Sequence, residues 1–151
     1  MTTVLAIHAH PDDIEFQCAG TLLRLASSQV VLHVATLTPG DCGSAEMTAE
    51  AISEVRRTEA RSAADVLGAD YRCLEFRDLS IVFDNPSRRR VTEYLRTVRP
   101  DIVLTAPPVD YMPDHEVTSL ELNVEHHVEV VLADPLGHPG APRDLVREVV
   151  E

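Results

Sequence analysis

The run Val4-Leu5-Ala6-Ile7 leaves no polar residue for a solvent-facing side. A strand of this kind must be covered on both faces, the condition of a central strand in a parallel sheet flanked by helices. The run breaks into His8-Ala9-His10-Pro11-Asp12-Asp13, and a helical pattern follows to about Ser27. Its predicted buried stripe is Phe16, Ala19, Leu22, Leu23 and Ala26, with Gly20 packed closely on the sheet. The strand-to-helix turn therefore carries a histidine and two carboxylates.

The same alternation recurs down the chain. A second strand is expected over Gln29 to Leu37, followed by the loop Pro39-Gly40-Asp41-Cys42-Gly43-Ser44. Thr48 to Leu67 reads as a helix stopped by Gly68, with Ile52, Val55, Ala63 and Val66 on one face. Glu59 falls on that face, with Arg56 as its expected partner. Tyr71 to Phe76 reads as a third strand. Asn85-Pro86 opens a helix whose stripe is Val91, Leu95 and Val98, ended by Arg99-Pro100. Asp101 to Thr105 is the fourth strand. Strands alternating with helices give an α/β class: a Rossmann-like, mainly parallel sheet flanked by helices. Beyond Ser119, a helix to Val128, a strand over Glu129 to Ala133, a loop over Asp134 to Pro142 and a short helix to Val150 are expected.

At 151 residues the chain is expected to be one domain, 1–151. A net charge of −12 argues against nucleic acid or an anionic membrane as partner. Cys18, Cys42 and Cys73 are odd in number and widely spaced, which suits free thiols in a reducing compartment. With no signal-like segment and no run long enough to span a bilayer, a cytoplasmic location is expected.

Turns at the carboxyl ends of parallel strands border the ligand crevice of an open α/β sheet. His10 and Asp13 are three apart, with Pro11 stiffening the turn. Imidazole and carboxylate suit a zinc-like ion, and Asp12 would remain free as a base. The same aspartates would also serve as a helix cap. A second cluster, Thr105-Ala106-Pro107-Pro108-Val109-Asp110-Tyr111-Met112-Pro113-Asp114-His115-Glu116, follows the fourth strand. Asp114 is a plausible N-cap there, placing His115 in the first helical turn, where protonated histidine is disfavoured. A metal ligand must be neutral. His126, His127 and His138 lack a matching carboxylate spacing.

Ala9-His10-Pro11-Asp12-Asp13 and Pro113-Asp114-His115 resemble the motifs of PIG-L/LmbE-like N-deacetylases. Thr38 to Ser44, Arg56-Arg57-Thr58-Glu59-Ala60 and Arg99 to Thr105 resemble further segments of that family, and the likeness covers about residues 3 to 119. It implies a Zn²⁺ site on His10, Asp13 and His115, with Fe²⁺ as an alternative metal, and Asp12 as general base. Asp114 would orient neighbouring groups, and Arg56 and Asp41 would contact substrate. The substrate implied is an N-acetylglucosamine-type sugar conjugate, acting with no nucleic-acid or membrane partner; a homo-oligomer is allowed for.

Two features depart from the pattern. Met112 stands where the family usually carries a histidine. The chain is also shorter than family members commonly are, so an internal deletion after about Ser119 is expected to leave an apolar patch beside the fourth strand. A catalytically impaired metal- or sugar-binding remnant is therefore the alternative. A nucleotide-binding module is disfavoured, because no G-x-G-x-x-G follows the first strand and two carboxylates there would repel a pyrophosphate.

Overall fold

The computed structural model describes residues 1–122 and 129–132. Nine elements follow in order: β1 (Thr2–His8), α1 (Asp13–Ala26), β2 (Val30–Thr36), α2 (Ala49–Leu67), β3 (Asp70–Cys73), α3 (Asn85–Val98), β4 (Ile102–Thr105), α4 (Pro113–Leu122) and β5 (Glu129–Leu132). The strands form one sheet in the order β3-β2-β1-β4-β5, and every pairing is parallel. His126, His127, His138 and the segments expected after Ala133 lie outside the described residues.

The apolar run of β1 is buried on both sides, as its composition requires. Val4 and Ala6 enter one core with Leu32, Val34, Ile102 and Leu104, covered by Ile14, Cys18, Leu22 and Leu25 of α1 and Ala64 of α2. Leu5 and Ile7 enter the opposite core with Ala35 and Val103, covered by Val91 and Leu95 of α3 and Leu122 of α4. Leu5 and Ile7 have no solvent exposure, so each stabilises the fold by roughly 1.5–3 kcal/mol.

Helix faces are where sequence periodicity and structure part. On α1 the buried stripe is Ile14, Cys18, Leu22 and Leu25, while Phe16 is 82% exposed. The helix is rotated because Asp13, at its first position, is turned inward. Gly20 meets nothing within 4 Å, so close packing is not its reason. On α2 the buried residues are Ile52, Ser53, Ala60 and Ala64, and Val66 and Glu59 lie outside. Small residues let that helix sit close to its neighbours, and Glu59 meets Arg56 at the surface, 3.1 Å away.

The caps also shift slightly. Asp84, one residue before Asn85, caps α3 by accepting from Ser87 N–H at 2.9 Å. Gly68 ends α2 at φ 64, a left-handed conformation open to glycine. β5 pairs with β4 from Ile102 to Thr105, so the outer edge of β4 is not left open.

The order reverses at β1, with β2 on one side and β4 on the other. The loops leaving β1 and β4 diverge there and frame the crevice at the carboxyl edge.

Candidate active site

The turn after β1 places His10 and Asp13 at the mouth of this crevice. Asp13 Oδ2 accepts from the His10 backbone N–H at 2.8 Å and lies 3.2 Å from His10 Nδ1. Its other oxygen, Oδ1, is 3.2 Å from His115 Nε2, on the first turn of α4. The rings of His10 and His115 lie 5.3 Å apart. Three side chains, from the turn into α1 and from the start of α4, thus converge, with Asp13 between the histidines.

Asp78, in the connection between β3 and α3, adds a carboxylate oxygen 3.0 Å from His10 Nε2. Asp114 Oδ2 is 3.4 Å from the same nitrogen and accepts from Leu79 N–H at 2.8 Å. Asp114 lies within α4 and turns across the crevice, where an N-cap residue would face its own helix. Asp110 Oδ1 is 3.1 Å from His115 Nδ1. Asp78 and Asp110 were not singled out by sequence. Asp78 has no metal-like spacing to the first motif, and only the fold brings it to His10, whereas Asp110 lies in the second cluster, five residues before His115.

Asp12 occupies the N-cap of α1 at φ 101, outside the region an L-residue prefers. A backbone held there costs on the order of 1–3 kcal/mol and persists only when its surroundings impose it. Its carboxylate caps nothing in the helix. It is paired with Arg56 Nη2 at 2.5 Å, and the same guanidinium group also donates to the Pro11 carbonyl. The Asp12 side chain is about half exposed.

The loop after β2 closes the crevice. Thr38 donates from its backbone and its hydroxyl to Ala9 O, and a Cβ on Gly40 would lie 3.4 Å from Pro11 Cδ. Asp41 Oδ1 accepts from Asp78 N–H, and Cys42 N–H donates to Asp78 Oδ2. Asp41 thus braces the loop that carries Asp78. Met112 is half-buried, and its carbonyl accepts from His115 N–H at the start of α4.

Electrostatics explain what this cluster needs. Burial would lower the His10 pKa, but Asp13, Asp78 and Asp114 outweigh it and raise it to about 9. Burial would raise that of Asp13, but His10 and His115 hold its carboxyl below the usual carboxylate range. Burial also opposes the charging of His115, and Asp13 and Asp110 overcome it. His8, fully buried two residues away, is pushed down to about 4 by burial and stays neutral.

Four largely buried carboxylates thus surround two histidines, an arrangement that calls for further positive charge. A divalent cation fits. Two ligand atoms each about 2.0–2.1 Å from a tetrahedral zinc lie about 3.3 Å apart. The Asp13–His10 and Asp13–His115 contacts are both 3.2 Å, one through each carboxylate oxygen of Asp13. Neither ring nitrogen of His115 has a hydrogen-bond partner among the described residues. Together, His10, Asp13 and His115 could hold a metal ion.

Comparison with known proteins agrees with the fold. The family model for PIG-L, GlcNAc-PI de-N-acetylase, matches residues 5–123. The "Probable N-acetyl-alpha-D-glucosaminyl L-malate deacetylase 2" of Bacillus anthracis is 32% identical over 124 residues, covering 76% of this chain and 55% of that protein. The N,N'-diacetylchitobiose deacetylase of Pyrococcus horikoshii superposes with a TM-score of 0.74 at 28% identity, covering 80% of this chain and 47% of that one. A 4-carboxy-2-hydroxymuconate hydratase of Pseudomonas putida superposes equally well, at 0.74 and 28% identity, covering 80% and 54%. The chain spans about half the length of the curated relatives it matches.

Proposed function

Because the chain belongs to the PIG-L, GlcNAc-PI de-N-acetylase family, we propose that it is a metal-dependent hydrolase. Its substrate is an N-acetylglucosamine-type conjugate, from which it removes the N-acetyl group. The observation that carries this reading is the convergence of His10, Asp13 and His115 where the strand order reverses. Zinc is the metal proposed, with Fe²⁺ as the alternative. A bound ion of this kind supplies Lewis acidity to a water and to the amide carbonyl.

The remaining work falls to side chains. Water adds to the acetyl carbon, the C–N bond breaks, and acetate and a free amine leave. Asp12 takes the proton from the water and returns it to the departing nitrogen. Arg56 holds the Asp12 carboxylate out of the helix-capping position through the contact it makes there. Asp114 and Asp41 brace the loops on either side of the crevice. The three free cysteines go with a reducing, cytoplasmic location, and no described helix is long and apolar enough to cross a membrane.

A second reading is a binding remnant that retains the ion without turnover. Met112 favours it, because a thioether cannot donate to a developing oxyanion. Metal analysis combined with an amine-release assay on N-acetylglucosamine derivatives separates the two. The proposal expects one zinc per chain and zinc-dependent amine release. Zinc without amine release supports the remnant, and no bound metal overturns both. Because a hydratase shares the fold, loss of absorbance from an unsaturated tricarboxylate is the control for the other chemistry.

A further inference from the structure

We propose that Asp78 and Asp110 are positioning residues that fix opposite tautomers of the two histidines. Asp78 takes the Nε2–H of His10, leaving Nδ1 to face an ion, and Asp110 takes the Nδ1–H of His115, leaving Nε2. The proposal rests on the metal reading above.

The distances form a matched set. Each histidine has one nitrogen 3.2 Å from an oxygen of Asp13. Its other nitrogen is 3.0 Å from Asp78 in one case and 3.1 Å from Asp110 in the other. The nitrogen turned toward Asp13 is Nδ1 in His10 and Nε2 in His115, so one tautomer cannot serve both. A neutral imidazole carries its single proton on one nitrogen and ligates through the other, and an outer carboxylate sets which. Without an ion, His10 Nδ1 is hydrogen-bonded to Asp13, whereas the Asp78 and Asp110 contacts are close but not aligned as hydrogen bonds, as is common before a ligand engages the far side of a ring.

Both carboxylates are held from behind. Asp78 receives Cys42 N–H on Oδ2 and gives its own N–H to Asp41, while its Oδ1 has no hydrogen-bond partner among the described residues. Asp110 Oδ1 receives Met112 N–H, and its backbone N–H goes to Glu116. Asp114 is a poorer choice for His10, being farther away and already engaged by Leu79 N–H. His10 Nε2, Asp78 and Asp114 could instead surround a second cation. One nitrogen cannot both give a proton to Asp78 and bind an ion, so the two arrangements exclude each other.

The test uses the full chain and zinc alone. Zinc affinity is measured by competition with a chromophoric chelator for wild type, Asp78→Ala, Asp78→Asn, Asp110→Ala and Asp110→Asn. Each alanine variant should bind zinc roughly 10- to 100-fold more weakly. Each asparagine variant should recover most of that loss, because its side-chain carbonyl still accepts the ring N–H. Imidazole ¹⁵N shifts of the zinc-loaded wild type should show His10 protonated on Nε2 and His115 on Nδ1. That spectrum decides the matter even if an alanine variant fails to fold. Reversed tautomers, alanine variants that bind as wild type does, or two zinc ions per chain would overturn the assignment. Wild type that takes up no zinc would overturn the metal reading itself, and the assignment with it.

Discussion

Arg56 Nη2 lies 2.5 Å from Asp12 Oδ2, so a helix-α2 guanidinium fixes the first residue of the α1 turn. That turn carries the positive φ of Asp12, and Arg56 also holds the Pro11 carbonyl. Arg56→Ala is expected to lower amine release about 100-fold while zinc content stays at the wild-type level, since a misplaced reacting group costs on this order. Arg56→Lys should recover little, because a point charge cannot hold Asp12 and Pro11 through one nitrogen and Glu59 through another as the planar fork does. Zinc analysis and initial rates on the same preparations check both, and unchanged rates in Arg56→Ala would detach this pair from catalysis.

Adjacent aspartates should fail in different ways. Asp12→Asn is expected to keep its zinc and lose roughly 100- to 10,000-fold in rate, the usual contribution of a general base. Asp13→Ala should lose zinc and activity together, because Asp13 lies between both histidines. Equal zinc loss in the two variants would leave no ground for separating base from ligand.

Met112 offers a gain-of-function test. It is half-buried beside His115, at the position where the motif resemblance implies a histidine. An added oxyanion donor is worth roughly 100- to 1,000-fold in rate. Met112→His is therefore expected to raise amine release by up to that factor at matched zinc occupancy. Wild-type turnover already at the common enzymatic value of about 10 per second would show that this position needs no histidine.

Glu121 gives stability a pH dependence away from the metal cluster. Burial pushes its carboxyl up to about 7, and the attraction of Arg88 offsets this only in part. The folded chain therefore holds a proton that the unfolded chain releases near pH 4.5. The stabilising difference is full below that pH and is lost as pH rises through about 7. Glu121→Gln should stabilise the fold above pH 7 by about 1–3 kcal/mol and leave it nearly unchanged at pH 4. Thermal melts of both proteins from pH 4 to 8 test this, and parallel curves would refute it.

Strand positions were legible because each strand's composition answers a local question: is one face wet or are both dry? Val4 to Ile7 answers it alone. The histidines and Asp13 were legible because motif residues at strand ends fall on one edge of a parallel sheet. Helix rotation was not. Phe16 and Leu23 have the hydrophobicity of a buried stripe but lie outside, because Asp13 fixes the angle at which α1 leaves the turn. Asp78 was hidden for a different reason. It lies in an irregular connection placed by hydrogen bonds to Asp41 and Cys42, which leave no periodic trace.

His10 and His115 meet although about a hundred positions of chain lie between them. An ion held by both would act as a reversible staple across that circuit, closing most of the described chain into a single loop. Its effect on the unfolded ensemble resembles that of a long-range disulfide, except that a chelator can open it. The melting temperature should then rise with free zinc, and at about 100 times the dissociation constant the gain approaches 2.7 kcal/mol. The first and fourth strand–helix units would come apart last in the loaded protein, so the crevice that does the chemistry would also set how slowly the sheet is lost.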